Sequence, residues 1–473
     1  MVTQEEYNVT KQNSRILYAK INLLNFNFQI VDELSGVILP GSTYTIEATS
    51  DIRRTCSISL VPTNSSFDIS YGSKIWIDKY VQIYVGIKDN NTGNIVYTKL
   101  GTYIINNPSQ VYSADNNTIT IKGLDLMAKM TGLRNGNLEG LSVSIPQNSN
   151  VRNSIISTLE LAGFTNYVVE ECPYSVPNDI NIDIGGTVYD ILKQLVSIDS
   201  RYEIYFDVDG VFHYDLIPSG DNEQVMVDDD IWNNALIEYS VDHDFENVKN
   251  VIEVYGKTWD ITNYSEATIH SKTSSDTYCS LTISTLSTLY DNAIIGFTTP
   301  TTQIDGNIHF YINSTDYSTS YQLKNEDGSI PTLSTDTYYV MKYIQDGDYL
   351  LFMSELTPYA IAKDNNINSP FYVNGTSGEI RIVLNGGDYD NIYMSSLAQE
   401  RADYELYLRC RIQDSLSMTC LPIYWLDVNW VIDITLPNKQ GNESVGRYIT
   451  KSINTTLSTD GTQSISLMKY YAI

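Results

Sequence analysis

Two stretches near opposite ends of the chain repeat one another, and a duplication confines the fold more tightly than any count of residues. Trp76-Ile77-Asp78 precedes a run with Val81, Ile83 and Val85 on alternate positions, and Trp425-Leu426-Asp427 precedes one with Trp430, Ile432 and Ile434. Gly101-x-Tyr103-Ile104 returns as Gly446-x-Tyr448-Ile449, and Asp115 as Asp460, each displaced by 345 positions. The closing runs, Ile119-x-Ile121 and Ile465-x-Leu467, follow one residue out of step. Apolar and polar residues that alternate mark a strand with one buried face. Each copy therefore predicts a small antiparallel β unit, and the chain is expected to carry two similar antiparallel β-barrels.

At 473 residues the chain exceeds the ~250–300 at which one core stops growing, so several domains are expected. The fold class predicted is mainly β with an α+β module. Residues 1–130 read as the first barrel, with Cys56-x-Ile58-x-Leu60 alternating and Asp89–Gly93 closing a hairpin. Residues 131–235 form the helix-containing module. There Asn150 caps a helix with Val151, Ile155, Leu159 and Ala162 on one face and Gly163 at its left-handed end. A second helix follows Thr187 with Val188, Ile191, Leu192, Leu195 and Val196 as its stripe. Asp209-Gly210 is the dipeptide of a type I′ hairpin. Residues 236–260 and 395–473 are assigned to a split second barrel that includes Val251–Tyr255, and 261–394 to an inserted β-rich module. Ser396-x-x-Gln399 is a capping-box signature opening a helix that carries Leu397, Ala398, Tyr404 and Leu408.

Most chemistry is excluded by what the residues lack. The five cysteines are scattered without metal spacing and read as reduced core thiols; the four histidines never fall at ligand spacing. No GxSxG, GxxxxGK[ST] or GxGxxG motif occurs. Asp207-x-Asp209-Gly210 lacks the later acidic ligands of a calcium loop and reads as a hairpin. Asp228-Asp229-Asp230 reads as a solvated acidic turn. With 57 acidic residues, a pair of carboxylates somewhere on the surface carries no signal for glycoside hydrolysis. No catalytic, cofactor-binding or metal residue is predicted, and no cofactor. The net charge of −28 argues against sequence-specific nucleic-acid binding, where Lys and Arg supply the affinity. It suits a surface that nucleic acid passes without sticking, since like charges repel over about 8 Å at physiological salt. No apolar run reaches membrane-spanning length, and residues 1–15 contain no apolar leader, so synthesis in a cytoplasm is expected. The 37 tyrosines fit strands and protein or sugar contacts equally.

The segments LGTYI with NTITIKGLDLMAKM, GGTVYDILKQLVSIDSRYEIYFDVDGVFHY and LAQERADYELYLRCRIQDSLSMTCLPIYWLDVN are similar to baseplate and tail-tip hub proteins of tailed phages and phage tail-like particles. The likeness extends over most of 1–260 and 397–473 and is one of pattern and part order. It implies a homotrimer at the distal tail of the virion whose paired barrels make a ring of approximate sixfold symmetry, adapting a hexameric tail tube to a trimeric tip around a channel for DNA. It implies as partners a tail-tube or distal-tail ring above and a tail spike or tail-associated lysin below. Hubs act by assembly, so no catalytic residue is carried over, and lytic activity would lie in a partner. The insert departs from the minimal pattern and is expected to contact receptor-binding proteins, host-wall polysaccharide or neighbouring tail proteins. Two other readings stay open: a host-surface (polysaccharide) binding tail adhesin and an acidic cell-wall hydrolase. The repeat signature to be sought in the structure is Trp76, Asp78, Gly101, Tyr103 and Asp115 against Trp425, Asp427, Gly446, Tyr448 and Asp460.

Overall fold

The computed structural model describes all residues except 1, 37–38, 62–68, 114–115, 139–142, 147–148, 177–178, 183–184, 220–222, 228, 259–260, 262, 273–275, 287, 292, 305, 316, 326, 354–356, 393–394, 412, 438–442, 459 and 471–473. Two compact units divide the chain, Met1–Lys249 with Tyr407–Ile473, and Asn250–Leu406.

After a short helix α1 (Gln4–Thr10), capped by Thr3, the first unit begins with seven antiparallel strands. They are β1 (Leu17–Leu24), β2 (Ile30–Gly36), β3 (Ser42–Glu47), β4 (Arg54–Leu60), β5 (Tyr80–Lys88), β6 (Ile95–Ser113) and β7 (Asn116–Leu124), in spatial order β3-β4-β7-β6-β5-β1-β2. Alternation decides which face is inside. Cys56, Ile58 and Leu60 on β4 and Val81, Ile83 and Val85 on β5 are buried, each such side chain contributing roughly 1.5–3 kcal/mol.

The α+β module packs on this sheet. Its elements are β8 (Val143–Ile145), α2 (Val151–Leu161), β9 (Tyr167–Val169), β10 (Ile180–Ile182), α3 (Val188–Val196), β11 (Tyr202–Phe206) and β12 (Phe212–Leu216). The caps stand where the sequence places them. Asn150 accepts the Asn153 N–H at 3.0 Å, Thr187 and Asp190 form a reciprocal box, and Gly163 is left-handed at φ 78°. Ile155, Leu159, Ile191, Leu192 and Leu195 share one core with Phe206 and Phe212. The Asp209-Gly210 hairpin differs from expectation. The Gly210 N–H bonds the Asp207 carbonyl and only Gly210 is left-handed, so the loop is a turn closed by a glycine bulge rather than a two-residue type I′ turn.

The second curled sheet uses β13 (Val225–Val227) and, after the helix α4 (Asp229–Ala235), β14 (Leu236–Asp244); it is completed by β26 (Gln413–Cys420), β27 (Val431–Pro437), β28 (Glu443–Leu457) and β29 (Gln463–Lys469). Its order is β14-β26-β29-β28-β27-β13, and β3 pairs with β28 to splice the two sheets into one of thirteen strands. One core cluster runs through both, from Tyr44, Ile58 and Ile83 to Met418, Ile432 and Ile465. Cys56, Cys172, Cys279 and Cys420 are buried free thiols and Cys410 is half-buried. Burial pushes the Cys56 thiol up to about 12.

In the second unit β15 (Val251–Tyr255) lies between β24 (Tyr359–Lys363) and β25 (Arg381–Leu384). This corrects the expectation that Val251–Tyr255 belongs to the second barrel, where the strand is β14 instead. The remaining strands, β16 (Asn263–Glu266), β17 (Thr268–Lys272), β18 (Asp276–Leu281), β19 (Ile294–Thr298), β20 (Asn307–Ile312), β21 (Tyr321–Lys324), β22 (Tyr338–Ile344) and β23 (Tyr349–Met353), form one eight-stranded sheet over Cys279, Phe297, Phe310 and Met341. Helix α5 covers Ser395–Arg409, so Ser396 lies in its first turn rather than at its cap. Among the described residues no helix is long and apolar enough to cross a membrane.

Candidate functional site

The two curled sheets are copies at the level of individual pairs. In the first, Val81 faces Tyr103 and Ile83 faces Gly101; in the second, Ile432 faces Tyr448 and Ile434 faces Gly446. The next pairing repeats it, with Ile58 opposite Ile121 and Leu60 opposite Ile119, against Met418 opposite Ile465 and Cys420 opposite Gln463. The outermost pairing does so again, Tyr44 opposite Cys56 against Val241 opposite Leu416. The irregularities lie close together without falling on the same pair, and the shift of β5 against β6 at Ile83 and Tyr84 has no counterpart between β27 and β28. β6 shifts register between Asn106 and Ser109 as it passes β7, and β28 does so between Thr450 and Ser452 as it passes β29.

Gly101-x-Tyr103 and Gly446-x-Tyr448 show why the spacing recurs. In each copy the tyrosine ring lies over the glycine two residues before it. A Cβ on Gly101 would stand 2.7 Å from Tyr103 Cζ, and one on Gly446 2.6 Å from Tyr448 Cε2. Tyr103 is fully buried and its hydroxyl donates to the Leu100 carbonyl at 3.1 Å; Tyr448 is buried too. A glycine in a strand interior exposes backbone and weakens the sheet, and a ring laid across it restores the cover.

The Trp-x-Asp triplets are not brought into correspondence. The strand registers place β27 two residues further along against β5 than the triplets require, and a slip of two leaves every side chain on its own face. Trp76 is half-buried, edge-on to Tyr71 at 5.7 Å, beside an open depression of about 500 Å³; Asp78 is exposed and ion-paired with Lys79. Trp425 is buried under α1, stacked on Tyr7 at 6.4 Å and donating its Nε1–H to Thr10 Oγ1 at 2.9 Å. Asp460 is exposed in the β28–β29 turn, accepting from the Ser458 hydroxyl at 2.7 Å. Asp115 lies outside the described residues.

Asp427 marks the junction where both sheets meet the α+β module. Arg54, at the head of β4, is 1% exposed, and its guanidinium donates to Asp427 and to the Phe206 carbonyl. Its backbone N–H donates to Asp125 at 2.9 Å. Burial works against the Arg54 charge, but Asp427 and then Tyr103 and Asp125 outweigh it and hold the group protonated. Burial likewise pushes the Asp125 carboxyl up to about 6 in spite of the backbone N–H groups of Arg54 and Met127. Beside it Arg53 donates to Glu203 at 2.9 Å and lies over the Tyr205 ring, 4.1 Å from its centroid. Asn429, in a left-handed conformation at φ 56°, donates to Glu203 at 2.6 Å and accepts from Lys451 at 2.9 Å. Tyr205 continues the chain of contacts to Asp215 at 2.8 Å and stacks on His213, which sits between Asp215 at 3.1 Å and Asp207 at 3.2 Å. Arg53 and Arg54 each face a carboxylate of another element, and Arg54 has no surface for a substrate to reach. The arrangement fixes three parts of the fold against one another. Removing one partner of such a buried pair strands the other charge and costs about 3–5 kcal/mol.

Arg53, Glu203 and Asn429 carry no motif. Arg54 does leave a trace, since it occupies an inward position of the same alternation as Cys56, Ile58 and Leu60, in a chain with only 29 basic residues. An arginine on the core side of a strand demands a buried partner.

Residues 368–473 match the family model "Domain of unknown function (DUF5048)". No curated protein matches the chain by sequence. Similar solved structures include a 43 kDa tail protein of prophage MuSo2 from Shewanella oneidensis, at 9% identity over 96% of this chain and 98% of that one, with a TM-score of 0.46. The tail protein from Neisseria meningitidis MC58 is similar at 10% identity over 95% and 96% of the two chains, TM-score 0.46. Prophage tail protein gp18 from Listeria monocytogenes EGD-e is similar at 8% identity over 95% and 94%, TM-score 0.42. All three are tail proteins, two of them of prophages.

Proposed function

We propose that this chain is the structural hub of a phage or phage-like tail tip, a homotrimer whose duplicated sheets form a ring of six similar units around the channel. The reading rests on one observation above all, the shared strand order of β3-β4-β7-β6-β5 and β14-β26-β29-β28-β27 and the equivalent residue pairs within them. A chain that presents one shape twice matches a sixfold tube on one side, while three chains match a threefold spike on the other. In this reading the first sheet and the second sheet of β13, β14 and β26–β29 are the ring, β8–β12 with α2 and α3 the brace between them, and the second unit an insert. The hub works by holding a tail-tube or distal-tail ring above and a spike or lysin below, and no reaction is assigned to it. Solution mass of the purified chain by light scattering tests this. Three chains per particle are expected, and a strict monomer at every concentration overturns the reading.

A second reading applies to unit 2 alone, as a surface-binding module. Tyr278 stacks on His309 and Tyr311 at 5.3 and 5.5 Å, and His270 on Tyr317 at 3.6 Å, making a row of rings on β17, β18, β20 and the segment that follows β20. Such a row suits a sugar polymer. Binding of purified host-wall polysaccharide, lost in a Tyr278→Ala, Tyr311→Ala double variant, supports it; equal binding by both proteins removes it.

A further inference from the structure

Within the chain, the two copies are spliced by one antiparallel pairing. β3 lies along the distal half of β28, with Thr43 opposite Thr456, Tyr44 opposite Thr455 and Thr45 opposite Asn454. The matched registers name the duplicates of both partners. β14 stands to the second sheet as β3 stands to the first, and β6 stands to the first as β28 stands to the second. Tyr44 and Val241 face the equivalent residues Cys56 and Leu416, and Thr455 and Gln110 face the equivalent residues Gln463 and Ile119. Among the described residues no further strand pairs with the corresponding edges. β14 ends the sheet, pairing with β26 on one side and with no further strand among the described residues. β5 lines β6 only as far as Ile104, beyond which β6 runs on to Ser113 with β7 as its one strand neighbour among the described residues.

We propose that β14 of one chain adds to the distal half of β6 in the next, in the register that the internal splice dictates. Asp242 then lies opposite Ser109 of the neighbouring chain, Val241 opposite its Gln110, Ser240 opposite its Val111 and Tyr239 opposite its Tyr112. The contact rests on the hub reading above and gives it an interface. It is head-to-tail, joining different surfaces of like chains, so it closes into a ring when the step angle divides the circle.

Three features fit this occupant. Val111 is 59% and Tyr112 80% exposed at the outer end of a paired strand, and Ile237 is 55% exposed on β14. Apolar side chains on an open edge are what a protein avoids unless another strand covers them. In a chain of net charge −28, residues 104–113 carry no charge at all, while β14 carries Glu238, Asp242 and Asp244. An acidic strand thus meets a neutral one, with no like charges directly opposed. Pro108 falls at the register shift, just before the ladder, where its missing N–H removes no bond from Ser109–Tyr112.

Paired cysteines test the register in the full-length chain. Val111→Cys with Ser240→Cys places two thiols on directly opposite positions of neighbouring chains, within disulfide reach after small adjustment. Val111→Cys with Ile237→Cys is the control, three residues out of register, and both sites are exposed enough to leave folding intact. Under mild oxidation the first variant is expected to give covalent dimers and trimers on a denaturing gel, with most chains in those bands. The control and the parent chain give none. A trimeric mass with no cross-link in either variant, or equal cross-linking in both, overturns this interface and leaves the hub reading standing. A monomeric mass without cross-links overturns both.

Discussion

The two copies differ most where the sequence makes them look most alike. Trp425 and Asp427 are held inside the molecule, one beneath the first helix and the other against Arg54; Trp76 and Asp78 stand at the surface beside an open depression. The pairing of the strands is conserved between the copies, and so is the glycine under its tyrosine ring. Backbone registers are set jointly by all strands of a sheet and resist change, whereas a loop before a strand is free to take another task. The loop of the second copy became the seat for the rest of the fold, and that of the first remained outside.

Substitutions in matched positions sharpen this contrast. Arg54→Met is expected to have the largest effect, about 3–5 kcal/mol of lost stability by denaturant unfolding, because the Phe206 carbonyl loses the Arg54 donor and Asp427 keeps only the Val428 N–H and loses its countercharge. An effect below about 1 kcal/mol would mean that the junction is not what binds the copies together. Gly101→Ala and Gly446→Ala are expected to cost about 2–3 kcal/mol each, with the two losses adding in the double variant, since each methyl meets a buried ring. A large loss at one site with none at the other breaks the equivalence.

His213 offers a smaller test through pH. Burial lowers its affinity for a proton, but hydrogen bonds to Asp207 and Asp215 prevail and hold it up to about 9, against an ordinary value near ~6.5. Its proton is bound more tightly in the folded state, so the stability it adds is complete below about 6.5 and is lost as pH rises through 9. Asp207 and Asp215 are held below the usual carboxylate range, so their share is lost instead on acidification. Relative to His213→Gln, the parent chain should lose about 1–2 kcal/mol between pH 6.5 and 10; parallel profiles would show that the pair of carboxylates does not hold the charge. Asp78→Asn should change stability by under about 0.5 kcal/mol, since its ion pair with Lys79 is at the surface, whereas Asp427→Asn should cost several times more.

Much of this was legible beforehand. Gly101-x-Tyr103 and Gly446-x-Tyr448 stand at identical spacing because one ring must cover one glycine, and a physical need of that kind survives in sequence. The caps at Asn150 and Thr187 are equally local. The Trp-x-Asp match misled by two residues because a period of two cannot tell a strand from itself shifted by two. Val251–Tyr255 reads as a barrel strand on apolar content, yet Val251, Ile252 and Val254 are buried in the sheet of the other unit. β14 falls within the 236–260 assigned to the second barrel, but Leu-Ile-Glu-Tyr-Ser-Val-Asp-His-Asp, with an edge strand's polar outer face, does not single it out as the barrel's strand. The Arg54–Asp427 pair joins residues far apart in the chain, and pairings of that range follow from topology alone.

Averaged electron micrographs of the purified full-length particle, viewed down its axis, test the central claim most directly. Rings with true threefold symmetry and six similar lobes around an opening are the expected result. Particles of any other symmetry, or three-lobed rings in which the second sheet of each chain lies off the ring, would contradict it.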